Sequence, residues 1–231
     1  MPYRRRLGSG GYVFHVLNRS ARRVQLFGRD SDYRAFLDVM LEAQVRVPLR
    51  LLAYCLMPNH FHLVAWPSGD RELSGFMQWL TATHSKRWNV YRGGVGTGAV
   101  YQGRFKAFPI QAGSHFLTVC RYVEQNALRA RLVSRAEDWP WSSLAARGKN
   151  CHGVALSTWP VLPPSNWLEL VNEVPSDEAL QAVRHSIRRH CPFGEQSWTS
   201  ETAVRLSLEG GLRRTGRPRS KMTSGVVLRK T

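Results

Sequence analysis

The run from Leu49 to Trp66 constrains the fold more than any other part of the chain. Its two apolar, β-like halves, Leu49 to Met57 and Phe61 to Trp66, meet at Met57-Pro58-Asn59, a segment suited to a tight turn. The pattern predicts two strands, the second carrying His60-Phe61-His62. Strand side chains alternate faces, so His60 and His62 share one face while Phe61 and Leu63 take the other. A rigid element of this kind can offer two neutral nitrogens to one divalent metal. Alone, an H-x-H is more often a pair of polar residues on a half-solvated strand, so the rest of the chain has to decide.

Around this pair the chain alternates strands and helices. Tyr12 to Leu17 reads as a strand, with His15 a structural residue on it. Asp30-Ser31-Asp32 offers N-caps to a first helix, on which Tyr33, Phe36, Leu37, Met40 and Leu41 recur at helical spacing up to Val47 and Pro48. A second helix is predicted from Glu72 to Tyr91, followed by the glycine-rich Gly93 to Gly98. That break lacks the Lys-Ser/Thr of a nucleotide P-loop. Val100 to Gln111 reads as one strand or two short ones, and Ser114 caps a third helix running towards Ala130. The order β-α-β-β-α-β-α predicts an α+β ferredoxin-like sandwich, an antiparallel sheet with helices packed on one face. A first domain over residues 1–145 is then followed by a helical and irregular extension over 146–211 and a basic tail over 212–231, read as disordered.

Charge narrows the partners. Thirty-three Lys and Arg against 16 Asp and Glu leave the chain at +17, which points to a polyanion and, since arginine dominates, to phosphate contacts. No apolar run approaches the roughly 20 residues of a membrane span, and the basic start has no apolar stretch behind it, so neither a membrane partner nor a signal peptide is expected. Cys55, Cys120, Cys151 and Cys191 are scattered without a C-x-x-C, as in a cytoplasmic protein with reduced thiols. The pairs Cys151-His152 and His190-Cys191 lack the spacers of a zinc site.

The third helix carries Arg121-Tyr122-Val123-Glu124-Gln125-Asn126. Tyr122 and Asn126 are four apart and share a helix face. If that face covers the histidine strand, two imidazoles, an amide oxygen and a phenol converge. Two nitrogens and one oxygen leave positions open on Mg2+ or Mn2+ for phosphate oxygens. Tyr122 could then attack, become linked to a 5′ phosphate and release a 3′ hydroxyl. A helical tyrosine by itself is more often a core residue. Tyr54, Tyr91 and Tyr101 lack a carboxamide four residues on.

Four motifs now stand in order: Met57 to Val64, Tyr101-Gln102-Gly103-Arg104-Phe105-Lys106, Arg121 to Ala130, and Trp139-Pro140-Trp141-Ser142-Ser143. Together they resemble the HUH-type single-tyrosine transposases, most closely the REP-associated tyrosine transposases, over about residues 10 to 145. The resemblance implies a metal-dependent single-strand DNA endonuclease and strand transferase of ferredoxin-like fold, a bacterial, nucleoid-associated monomer or homodimer. Its substrate would be single-stranded DNA hairpins with a flanking guide tetranucleotide. His60 and His62 match the paired metal ligands, Tyr122 the nucleophile, and Asn126 the residue that completes metal binding. The family often has Gln there, so Gln125 and Glu124 stay open as alternatives. Its Asn-Pro is here Asn126-Ala127, which should leave the helix less abruptly broken.

Arg104, Lys106 and Arg121 are candidate DNA contacts; for Arg104 and Lys106 a solvated strand face is the competing reading. Arg4, Arg5 and Arg6 could act near the hairpin foot, and Arg217 and Arg219, in Gly216-Arg217-Pro218-Arg219, resemble an AT-hook core or a simple phosphate-binding tail. The rival to a nicking and joining enzyme is a catalytically inactive hairpin-binding or regulatory protein that keeps the fold.

Overall fold

The computed structural model describes residues 10–96, 98–149 and 153–213. Arg4, Arg5, Arg6, Arg217, Arg219 and the Cys151-His152 pair lie outside them. The chain order is β1 (Val13–Arg19), α1 (Asp30–Arg46), β2 (Arg50–Met57), β3 (His60–Trp66), α2 (Glu72–Tyr91) and β4 (Lys106–Ile110). Four antiparallel strands form one sheet in the order β2-β3-β1-β4, the ferredoxin-like arrangement expected. Of the Val100 to Gln111 run only Lys106–Ile110 is strand; Tyr101 makes an isolated bridge to Ser20. Asp32 starts α1 by accepting the backbone N–H groups of Gly28 and Arg29 at 2.8 and 3.0 Å, a reach-back from the first turn.

The period-two alternation sorts the sheet into two faces. Phe14, Val16, Tyr54, Leu56, Phe61 and Leu63 pack with Phe36, Met40, Phe76 and Leu80 of α1 and α2 in one apolar core. Each fully buried Phe or Leu there contributes about 1.5–3 kcal/mol. The other face carries Val13, Cys55, Met57, Val64 and Phe108, with His60 and His62 in the same phase. It is covered by α3 (Ser114–Glu124), whose Phe116, Val119, Cys120 and Val123 are buried against it. Helices on a single face therefore describe α1 and α2 only; α3, which follows the last strand, crosses to the opposite side.

Three local expectations differ. Arg29, rather than Asp30, Ser31 or Asp32, is the N-cap residue of α1. Gly113, at φ 84°, rather than Ser114 precedes α3 as its N-cap residue. The helix also divides at Gln125 into α3 and the short α4 (Asn126–Arg129), although no proline is present.

After α4 the chain seals the sheet edges. Trp141 O accepts from Leu56 N at 2.9 Å, Ser142 bridges Cys55, and Ser157 N donates to Leu51 O at 2.8 Å, all along β2. A bulge between Leu51 and Ala53 turns the Leu52 carbonyl outward, where Trp159 Nε1 (2.8 Å) and Arg147 donate to it. On the far edge Phe193 exchanges two 2.9 Å backbone bonds with β4, at Gln111 N and Pro109 O. The extension contains α5 (Ser143–Lys149), α6 (Trp167–Asn172), α7 (Asp177–Arg189) and α8 (Gln196–Arg205). It shares both cores: Val154 and Leu206 pack on the α1–α2 side, Val183 and Trp159 on the α3 side. Among the described residues no helix is long and apolar enough to cross a membrane.

Candidate active site

On the α3 face, β1, β3, α3, α4 and α7 enclose a cleft of about 570 Å³. His60 and His62 line it together with Tyr122 and Asn126, so the four residues singled out by spacing do meet. The sheet register explains the histidine side: Cys55 and Leu17 flank His62 in the ladder, while Met57 and Arg19 flank His60. The two imidazoles stand 5.0 Å apart between ring centroids at 81°. Tyr122 faces them from α3, its ring 6.0 Å from that of His62 at 80°.

Each imidazole is oriented through its Nδ1. Asn59 Oδ1 lies 2.7 Å from His60 Nδ1; an amide oxygen only accepts, so His60 Nδ1 carries the proton and Nε2 the lone pair. His62 Nδ1 lies 2.8 Å from Nε2 of His15, and these two rings stack at 4°. His15, read from sequence as structural, is thus the residue that sets the tilt of His62. Its place two residues before Leu17, in the same strand phase, was the available signal. When His62 donates in this pair, its Nε2 is left as an acceptor or ligand.

Burial dominates the electrostatics. It pulls His60 down to about 4, helped by the positive charges of Arg19 and Arg129. It holds His62 well below its ordinary value, reinforced by His15 and His60, and brings His15 to about 3. All three are neutral at pH 7, as metal-ligating imidazoles must be.

The third donor is narrower. Glu124 is fully buried but turned away from the cleft: it accepts from Ser143 Oγ (2.6 Å), Trp167 Nε1 (2.9 Å) and Arg147. Gln125 turns the same way and donates to the Glu173 carbonyl. Asn126 alone of the three lines the cleft. Its Oδ1 accepts from Arg129 Nη2 at 3.0 Å, with one lone pair left over, and its Nδ2 is buried without a partner. Among the described residues no three His, Cys, Asp or Glu side chains form a group that could hold a metal, and Asn126 Oδ1 stands in the cleft as an oxygen beside the two histidines.

Arg129 is the residue of the cleft that sequence reasoning passed over. Its Cζ lies 3.9 Å from the Tyr122 ring centroid, its Nη2 holds Asn126, and its Nη1 is buried and unpartnered. Burial lowers its guanidinium, Tyr122 acts against that, and the like charge of Arg184 adds to it. Seven residues separate Arg129 from Tyr122, two helical turns, and that spacing was readable. Arg104 and Lys106 line the cleft, with Arg19 and Arg184 in addition. Five cations and no carboxylate therefore surround the tyrosine. Arg121 is placed elsewhere: it lies against the extension, 3.1 Å from the Glu173 carbonyl and 3.7 Å from its carboxylate.

The three other tyrosines weighed as nucleophiles stay out of the site. Tyr54 is fully buried, Tyr91 is exposed on α2, and Tyr101 bonds His84 at 2.8 Å beneath the opposite face.

In sequence, the family of IS200-like transposases matches residues 10–126, slightly more than half of the chain and the segment that builds this cleft up to Asn126. The chain belongs to the IS200-like transposase family. No curated protein matches it in sequence. In structure this family member is similar to the REP-associated tyrosine transposase solved with a REP hairpin, at TM-score 0.51 and 21% identity over 70% of this chain and 93% of that one. A transposase-like structure from Deinococcus radiodurans aligns at TM-score 0.38 and 16% identity, over 54% of this chain and 96% of that one. In the transposase, α7 and its Arg184 lie beyond the segment that the family shares.

Proposed function

We propose that the protein nicks and rejoins single-stranded DNA through a covalent bond between Tyr122 and a 5′ phosphate. One observation carries this: Tyr122 faces the histidine pair, 6.0 Å from His62, across a cleft lined by five cations and no carboxylate. Such a cleft suits a polyanion and repels acidic ligands.

His60 Nε2, His62 Nε2 and Asn126 Oδ1 would hold Mg2+ or Mn2+, a set whose nitrogens fit and whose oxygen is shared with Arg129. The bound ion supplies Lewis-acid polarisation of a phosphate oxygen. The chain's own residues do the rest. Arg129, against the Tyr122 ring, orients it. The phenolic oxygen forms a bond to phosphorus, the bond from phosphorus to the 3′ oxygen breaks, and that oxygen leaves as a 3′ hydroxyl after taking a proton. A phenolate is a fair leaving group, so the reverse reaction with another 3′ hydroxyl rejoins a strand.

The REP hairpin in the similar structure supports a hairpin with flanking single strand as the substrate, as in the REP-associated branch. Tyr122 and the histidines belong to one chain, and both sheet edges are covered, by residues 141–157 and by Phe193. These features support a monomer with its own complete site.

The decisive experiment uses a labelled single-stranded hairpin oligonucleotide with Mn2+ on a denaturing gel. A covalent adduct that disappears in Tyr122→Phe is the expected result. Cutting that persists in Tyr122→Phe but fails in His60→Ala would mean a water-using nuclease. Binding without any adduct would mean a non-catalytic hairpin binder.

A further inference from the structure

Helix α7 lies in the extension, beyond residues 10–126 that match the family, yet it forms one wall of the cleft. It is firmly held there. Ser176 Oγ caps it through Ala179 N at 3.3 Å, and its Val183 is buried in the core that includes Phe108, Ile110 and Val123. Ser186 is buried one turn on. With that face inward, Arg184 and Ile187 border the cleft, opposite Tyr122 and Arg129.

Arg184 has no ion-pair partner among the described residues. Across from it the buried Nη1 of Arg129 has none either. Two guanidiniums on one small cleft repel each other, and no carboxylate lines the walls to relieve them. An incoming phosphate relieves both at once, because its oxygens accept from two forks.

We propose that Arg184 and Arg129 form a two-guanidinium clamp on the phosphate that Tyr122 attacks, which makes α7 part of the DNA cleft and Arg184 a substrate-binding residue. This rests on the reading of the cleft as a single-strand DNA site.

The test measures binding apart from chemistry, in the full chain carrying Tyr122→Phe. Affinity for an oligothymidine strand is followed by fluorescence anisotropy over a range of KCl concentrations. Adding Arg184→Ala should reduce the log–log salt slope by about 0.7, the value for one single-strand phosphate contact. Affinity at low salt should fall about ten-fold, the worth of one charged contact. Arg184→Lys should keep the slope, because the charge remains, but lose part of the affinity with the fork. Arg188→Ala, one turn further along α7 and not among the residues that line the cleft, should change neither quantity. An unchanged slope in Arg184→Ala overturns the clamp, as does an equal loss in Arg188→Ala or a fall in slope in Arg184→Lys. Adduct assays in the Tyr122 background separate the two readings. No adduct with wild-type Arg184, together with the slope change, leaves the clamp standing and removes the tyrosine chemistry. Normal adduct formation in Arg184→Ala with an unchanged slope does the reverse.

Discussion

His62 and His84 are equally buried, each 4% exposed, on opposite faces of the same sheet. Burial is the leading cause that lowers both. On the α1–α2 side His84 sits among Phe27 and Phe36 and uses Nδ1 on the hydroxyl of Tyr101. On the α3 side His62 uses Nδ1 on His15 and borders an open cleft with a tyrosine across from it. The difference teaches that a buried, neutral histidine marks a site only where its second nitrogen meets space and a reactive partner. Otherwise it is a polar member of a core, kept there by one satisfied hydrogen bond.

The strongest way to break this comparison is to exchange the roles. Tyr122→Phe and His62→Ala should each abolish the covalent adduct, whereas His84→Leu should leave adduct formation intact and lower only the melting temperature. Equal loss of adduct in His84→Leu, with the fold retained by circular dichroism, would dissolve the distinction between the two faces. Phe61→Ala removes a fully buried ring from the same strand as the histidines but on the dry side. It should cost about 3–5 kcal/mol in urea unfolding. A cost below about 1 kcal/mol would show that the core on that side is not the one that holds β3.

A smaller effect is expected at His15. His15→Phe keeps the volume roughly and removes the hydrogen bond that orients His62. It should weaken Mn2+-dependent adduct formation about 10–100-fold, in line with other residues that orient a metal ligand. Excess Mn2+ should restore part of the rate.

The last effect is in pH. His84 has a folded-state value of about 4 against an ordinary 6.5, so between these values the unfolded chain binds a proton that the folded chain refuses. Stability is whole above about pH 6.5 and falls as pH drops towards 4, by up to about 1.4 kcal/mol per pH unit for this group. His15 and His60 act in the same direction. In chemical denaturation the wild type should lose more stability than His84→Leu over that window. Parallel curves would mean that His84 titrates normally.

Much of this was legible because local rules acted undisturbed. The strands β2 and β3 followed from two apolar runs around Pro58-Asn59, and α2 was bounded correctly because its apolar spacing is unbroken from Leu73 to Trp88. Tyr122 and Asn126 both reach the cleft, as their four-residue spacing implied, even though the helix divides between them. What stayed hidden involved partners distant in sequence. Arg121 looked like a DNA contact, but Glu173, 52 residues later, draws it to the extension. Glu124 and Gln125 looked like rival ligands until Ser143, Trp167 and Glu173 took up their polar atoms. The Trp139 to Ser143 motif holds the edge of β2 and binds Glu124, which anchors the tyrosine helix from behind.

By itself, then, the sequence determined which residues could share a face: His60 with His62 by a period of two, Tyr122 with Asn126 by one helical turn. It also set the sign of the ligand, through an excess of arginine that only a polyanion offsets. Tertiary structure alone decided that α3 crosses to the histidine face, that His15 rather than solvent holds His62, and that Arg184 comes round from the extension to close the cleft. The physical reason is one of range. Periodicity is a property of a few consecutive residues, whereas a cleft is made by whichever faces must be buried against each other once the whole chain has condensed.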